Sequence, residues 1–298
     1  MSSVPAIRNT GNTPAPRRDR IGSGDIASIL GLPDAFGSPY SVWVAKTTGE
    51  EPEMDEKTKA RLWWGEKMEP AILDRYAILS PGHEPVPNGR QRHFVSPEHQ
   101  FLTATVDDIF IFDGEPYVLE AKLSHIDLDD GLPYRVQAQI QWHMGMSGIH
   151  RGVAAVLFFT DIGRDVQIWD IEFDLEVFRA LKNAALMFWM RNVRMGIAPR
   201  IDGHKATTAA LKRIKSVDAV VDISHLAGIV EQLGQTKAVK KSVISTETEL
   251  TNKVKFGLGT ATCGQINGRD AVTWRTDKRG SKTFLIKKAF LPKGSDDE

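Results

Sequence analysis

The stretch TVDDIFIFDGEPYVLEAK, residues 105–122, constrains the fold of this chain more than any other. Asp113-Gly114 stands between two apolar runs, the strongest short-range signal for a two-residue hairpin turn. With those two residues at the turn, Phe112 faces Glu115 and every facing pair sums to 227, so Asp107 falls opposite Glu120. Alternation puts Val118, Glu120 and Lys122 on one face and Tyr117, Leu119 and Ala121 on the other. Two carboxylates are thereby brought to about 5 Å at their Cβ atoms, with a lysine on the same face, while Asp108 points away. A three-residue turn shifts the sum to 228 and sets Asp108 opposite Glu120 instead.

Like charges directly opposed destabilise a hairpin, and carboxylates at a buried strand edge are costly unless paired. A divalent cation between them resolves both problems, because hard ions such as Mg²⁺ take carboxylate oxygens. The lysine then has a task that a simple metal cage does not need. It can place a water or offset charge on a developing oxyanion. The plainer reading is an exposed Glu120–Lys122 ion pair at a sheet edge, with Asp107 as a turn residue.

Around this hairpin the chain has ordinary globular composition, with 41% apolar and 26% charged residues in 298. No apolar run approaches the roughly 18 residues of a membrane helix. The first twenty residues are polar, Pro-rich and basic rather than a secretory signal, so a cytoplasmic location is expected. A single cysteine, Cys263, excludes an intramolecular disulfide and a four-thiolate metal or iron–sulfur site. Net charge is zero but segregated. Residues 1–199 hold 20 Lys and Arg against 27 Asp and Glu, and residues 200–298 hold 18 against 11. A basic C-terminal region on an acidic domain suits a polyanion partner, although solvated helix faces give the same count.

Residues 1–19 are expected to be a disordered tail, 20–199 one domain, and 200–298 a basic region of helices plus a small β element. GSGDIASILGL predicts a helix capped at Ser23 or Asp25. SPYSVWVAKTTGE predicts a second helix. Asp55–Leu79 is the first long helix, with Leu62, Met68, Ile72 and Tyr76 at helical spacing. RQRHFVS, QFLTATVDDIFIF, PYVLEAK, VAAVLFFT and DVQIWDIEFD read as strands, the last two as hairpin partners. RVQAQIQWHMGMSG and 175–195 read as helices. GIAPRIDG is a linker, followed by helices near 205–214, 222–241 and 245–256. Helix, strand meander, then helix and more strands implies an α/β core with a mixed sheet.

Asp, a gap and then Glu-x-Lys on a hairpin resembles the PD-(D/E)XK nuclease superfamily. More closely the chain resembles the YqaJ-type viral recombinases, phage exonucleases related to the lambda exonuclease. IGSGDIASILGL, WGEKMEP, FLTATVDD and AQIQWHM resemble the family's opening loop and helix, its "WG…EP" helix, its motif-aspartate strand and the helix after the motif lysine. The likeness covers about residues 20–175. It departs in reading Gly-Ser-Gly-Asp for Gly-Gly-Ser-Asp, which bears on Ser23, and in placing Asp108 where Gly usually follows the motif aspartate. The fold it implies is a restriction-endonuclease-like core, a central mixed sheet flanked by helices, with a C-terminal mainly helical appendage.

The resemblance implies site residues as well. Asp107, Glu120 and Glu69, with the backbone carbonyl of Ala121, would hold one or two Mg²⁺ ions, Mn²⁺ substituting. Lys122 would orient the attacking water, and Gln139 would hold phosphate or water. Arg20 and Ser23 would receive a DNA 5′-phosphate, a task suited to the bidentate fork of arginine. Trp63 and Trp64 suit either base stacking or a helix core, and His125 and His143 fit no part of the family pattern. The implied activity is Mg²⁺-dependent digestion of one strand of linear duplex DNA, 5′ to 3′, in a bacterial host cell. It would leave 3′ tails for a phage single-strand annealing protein, and a trimeric ring is the implied assembly. An endonuclease on the same core, or a non-catalytic DNA-binding scaffold, are the competing readings.

Overall fold

The computed structural model describes residues 15–50, 54–124, 131–159, 165–215, 217–277 and 280–292. Its contacts divide the chain into two units, Met1–Ser216 and Val217–Glu298. The first opens with helices α1 (Ser23–Leu30), α2 (Pro39–Thr48) and α3 (Glu56–Leu79). Strands β1 (Glu84–Pro85), β2 (Arg92–Val95), β3 (Thr103–Val106), β4 (Asp108–Phe112) and β5 (Glu115–Ser124) follow. Then come α4 (Tyr134–Ser147), β6 (Arg151–Phe158), β7 (Gln167–Glu172), α5 (Leu175–Met187) and α6 (Lys205–Lys212).

Five strands form one mixed sheet in the order β1-β4-β5-β6-β7, and β2 and β3 pair separately. The β5–β6 pair is parallel and its neighbours are antiparallel. A parallel pair needs a long crossover, and α4 supplies it. Helices flank both faces, so the expected α/β core with a central mixed sheet is the one formed. On one face Ile72, Leu73 and Tyr76 of α3 cover Phe110, Leu119 and Ala121. On the other, Val136, Ile140 and Met144 of α4 cover Ile109 and Val118. Gly152 lets α4 approach β6 closely, because a Cβ there would stand 2.8 Å from the Ile140 side chain.

Two local expectations are refined. The cap of α1 is Gly22, not Ser23 or Asp25. Asp25 instead reaches back from the first turn, its Oδ2 accepting from the Gly22 N–H at 3.0 Å. Leu62, placed on the buried stripe of α3 by its spacing, is half exposed. Beyond the linker, α6 packs on α2, where Thr207 donates to Ser38 Oγ at 2.6 Å and His204 hydrogen-bonds the Ala35 carbonyl at 3.2 Å. The first unit therefore extends past the linker and includes α6.

In the second unit the two expected helices are one, α7 (Ala227–Leu258), since no proline interrupts the span. A three-stranded antiparallel sheet follows, with β8 (Cys263–Ile266), β9 (Arg269–Thr276) and β10 (Lys282–Ile286) in the order β10-β9-β8. Trp274 pairs with Phe284 across β9 and β10. Lys255 lies 5.6 and 5.5 Å from their ring centroids.

Candidate active site

The hairpin has the two-residue turn. Asp113 and Gly114 adopt φ of 50° and 79°, left-handed at both positions as the tight turn requires. Pairing runs from Phe112–Glu115 to Asp108–Leu119, so the alternative register with Asp108 across from Glu120 does not form. Asp107 occupies the break between β3 and β4. Its Oδ2 accepts from the Ala121 N–H at 2.9 Å, which sets its carboxylate beside the Glu120–Ala121 step of β5.

Asp108 is held elsewhere. Its Oδ1 accepts from the Ile109 N–H at 2.8 Å, and its Oδ2 lies 3.3 Å from Arg90 Nε. The same guanidinium reaches Asp74 on α3 at 2.6 Å. Of two adjacent aspartates, Asp108 is paired with a cation, and Asp107 is left facing another carboxylate.

That other carboxylate, Glu120, is 0% exposed. Lys122 Nζ contacts its Oε1, and His143 Nδ1 on α4 lies 3.0 Å from its Oε2. These are close approaches rather than aligned hydrogen bonds, and both oxygens of Glu120 and both ring nitrogens of His143 are buried without a hydrogen-bond partner. Burial alone raises the Glu120 pKa, but the charge of Lys122 and then His143 outweigh it and hold the carboxyl below its ordinary value. Burial likewise lowers Lys122, and Glu120 and Asp107 more than offset this, so the lysine stays protonated. Asp107 moves the other way. Desolvation, then the charge of Glu120, push it well above the ordinary aspartate value against the pull of Lys122.

Glu69 joins them from α3. Partial burial, reinforced by the charge of Glu120, raises its pKa despite a hydrogen bond from Gln91 Nε2 to its Oε1 at 2.6 Å. Three carboxylates from separate elements thus act on one another around Lys122. Among the described residues no three His, Cys, Asp or Glu side chains are already converged as a metal cage. The donor set fits a hard divalent cation on other grounds. Its groups are carboxylate oxygens, and crowded negative charge opposes ionisation of Asp107 and Glu69.

The remaining expected residues lie around this centre. Gln139 is half-buried on α4, one turn before His143 and on the same side of the helix. Its neighbour Gln141 is a buried strut, donating to the Glu172 carbonyl at 2.8 Å and accepting from the Asp174 N–H at 2.9 Å. Arg20 donates to the Ala15 carbonyl at 2.9 Å and to Thr103 Oγ1 on β3 at 3.2 Å. These partners are neutral, whereas Lys46 takes up Asp25 at 2.8 Å in a buried ion pair. Ser23 is half-buried at the start of α1, one residue past its cap. Ala121 is paired with Ala155 of β6. His125 lies outside the described residues.

Two contributors are given no place in the site by the sequence reading. His143, set outside the family pattern there, closes over Glu120; the helical pattern of QWHM places it on the sheet side, but only the fold shows what it meets. Gln91 is the other. Its backbone is left-handed at φ 51°, a conformation that is strained for a non-glycine residue. Its N–H donates to the Asp107 carbonyl at 3.1 Å while its side chain holds Glu69. Gly89, just before it, packs so tightly that a Cβ would stand 2.8 Å from the Ile109 carbonyl oxygen. The 88–91 turn therefore ties α3 to the aspartate pair, through Gln91 to Asp107 and through Arg90 to Asp108.

A model of the YqaJ-like viral recombinase domain matches residues 15–150. The uncharacterized protein YqaJ of Bacillus subtilis (strain 168) is 29% identical over 267 residues, covering 86% of this chain and 80% of its own. The alkaline exonuclease LHK-Exo of Laribacter hongkongensis superposes with a TM-score of 0.48 at 15% identity, over 60% of this chain and 90% of its own. A phage related exonuclease from Haemophilus somnus 129PT gives a TM-score of 0.43 at 10% identity, over 60% and 96%. The family matched is the one the motifs resemble.

Proposed function

We propose that this chain, whose residues 15–150 match the model of the YqaJ-like viral recombinase domain, is a divalent-metal-dependent DNA exonuclease. In this reading it digests one strand of linear duplex DNA, 5′ to 3′, and leaves 3′ tails for a single-strand annealing protein. The observation that carries it is the meeting of Glu69, Asp107 and Glu120 around the single lysine Lys122, where crowding raises the pKa of two of the three carboxyls. Three carboxylates here act on one lysine, which pairs directly with Glu120, whereas Asp108 lies against Arg90.

Asp107, Glu120 and Glu69, with the Ala121 carbonyl, are the groups that hold Mg²⁺, or Mn²⁺ in its place. The bound ion supplies polarisation of the scissile phosphate and acidification of a water. Lys122, kept protonated by the carboxylates, orients that water and offsets charge building on the phosphoryl oxygens. Gln139, on the α4 surface beside His143, contacts the phosphate or the water. Arg20 has neutral partners, and with Ser23 it is suited to a terminal 5′-phosphate. A trimeric ring in the bacterial host cytoplasm completes the reading by family resemblance.

The test is digestion of linear duplex and covalently closed circular DNA, with and without Mg²⁺. Metal-dependent loss of the linear form alone supports the exonuclease. Cleavage of the circle reassigns the site to an endonuclease, and no cleavage of either makes the chain a scaffold. With 5′-phosphorylated and 5′-hydroxyl ends compared, the phosphorylated end should be preferred, and Arg20→Ala should erase that preference.

A further inference from the structure

Trp63 and Trp64 do not serve the core. They are 51% and 45% exposed on α3, and Phe159 beside them is 52% exposed. Trp63 and Trp64 meet edge-on with centroids 4.8 Å apart, and Trp64 lies 6.2 Å from Phe159. Phe159 follows β6, and its N–H donates at 2.8 Å to the carbonyl of Ser124, two residues beyond Lys122 on β5. Trp64 is about 7.5 Å along the helix axis from Glu69, on another side of α3. Through Phe159 the ring cluster borders the Lys122 end of β5, and all three rings leave surface open to solvent.

Cations interleave them. Lys57, Arg61 and Trp64 fall at i, i+4 and i+7, one stripe of α3. Lys67 Nζ lies 5.8 Å from the Trp63 ring centroid. Among the described residues, none of Lys57, Arg61 and Lys67 has a carboxylate within ion-pairing distance. Open aromatic faces alternating with unpaired cations match a partner with flat π surfaces on a polyanionic backbone. A second copy docking the same face would bring identical cations together.

We propose that this face of α3, with Phe159, binds the unpaired strand of DNA beside the active site. Bases stack on Trp63, Trp64 and Phe159, and phosphates lie on Lys57, Arg61 and Lys67. The inference rests on the nuclease reading only in taking this strand to be the one delivered to the carboxylates. The rings thus stabilise a frayed end whose backbone is held at the cluster.

The experiment measures binding of a labelled single-stranded oligonucleotide to the full chain in EDTA, by fluorescence anisotropy, with a base-free abasic oligonucleotide alongside. Stacking predicts that Trp63→Ala/Trp64→Ala lowers affinity about tenfold or more, whereas Trp64→Phe retains most of it. The abasic strand should bind wild type and double variant equally weakly. An unchanged affinity in the double variant, or an equal loss for normal and abasic strands, overturns the proposal. So does a change of sedimentation in the double variant with DNA affinity intact, which gives the face to a second copy. Ring-dependent binding by a chain that cleaves nothing in Mg²⁺ sinks the nuclease reading alone. Cleavage with ring-independent binding sinks this inference alone.

Discussion

Consecutive residues of β5 belong to two regions that obey opposite rules. On the α3 side, Leu119 and Ala121 pack with Ile72, Leu73, Tyr76 and Phe110, and the layer is apolar. On the α4 side, Glu120 and Lys122 put charge under a helix, with His143 the nearest group across the gap. The aspartates repeat the contrast one strand over. Asp108 is matched to Arg90, which also holds Asp74, and Asp107 has its N–H donor from Ala121 but no cation of its own except through Lys122. One region is arranged for stability. The other crowds carboxylates together, a crowding that proton uptake or a bound cation relieves.

Substitutions on the two sides should therefore fail in different ways. Glu120→Gln or Lys122→Ala should lower Mg²⁺-dependent digestion by on the order of 10²–10³-fold or more while the variant still folds, as rate assays and thermal melts together would report. Leu119→Ala should do the reverse. It should lose about 2–5 kcal/mol of stability and keep the activity of whatever fraction remains folded. Equal damage to folding from both sides would remove the distinction.

The next effect in size is metal-linked stability. Saturating Mg²⁺ should stabilise wild type by about 2–4 kcal/mol at 100–1,000 times its dissociation constant, and Asp107→Asn should blunt that gain. Without metal, the raised pKa values of Asp107 and Glu69 mean that the folded state binds protons more tightly there than the unfolded state. Their contribution to stability should therefore grow as pH falls through those folded values toward about 4, the ordinary carboxylate range. Glu120 works in the opposite sense. Its lowered pKa gives stability that is present above the ordinary glutamate value and lost as pH falls through the folded value. Urea melts over an acid series, for wild type and Asp107→Asn, should differ in the first of these contributions. Identical profiles would mean that Asp107 carries no unbalanced charge.

The smallest expected effect is at the clamp between the regions. Gln91→Ala removes one hydrogen bond to a carboxylate, worth about 1–2 kcal/mol, and leaves the strained turn in place. It should raise the Mg²⁺ concentration needed for half-maximal digestion several-fold and change the rate at saturating metal little. A loss of rate with no change in metal requirement would assign Gln91 a different task.

Much of this was readable in advance because the hairpin is governed by local rules. Asp113-Gly114 fixes a two-residue turn, the turn fixes register, and register puts Glu120 and Lys122 on one face with Asp107 beside them. Glu69 needed the family motif, since nothing in the spacing of α3 shows which glutamate meets the sheet. Gln91 had no sequence signal, because its left-handed backbone and its contacts to Glu69 and Asp107 exist only once the 88–91 turn is folded against α3 and β4. The exposure of Trp63 and Trp64 was also hidden, because helical periodicity does not say how far along α3 the sheet extends. The two helices expected after residue 220 proved to be one, since helix propensity alone gives no reason to stop at the polar residues between them.

The most direct test compares neighbours. Asp107→Asn and Asp108→Asn should be assayed in parallel for Mg²⁺-dependent digestion of linear duplex DNA, each scaled to its folded fraction. The expected result is near-complete loss for Asp107→Asn and close to wild-type digestion for Asp108→Asn, whose cost falls on stability through Arg90. Undiminished digestion by Asp107→Asn, or loss confined to Asp108→Asn, contradicts the assignment of the unbalanced face as the catalytic one.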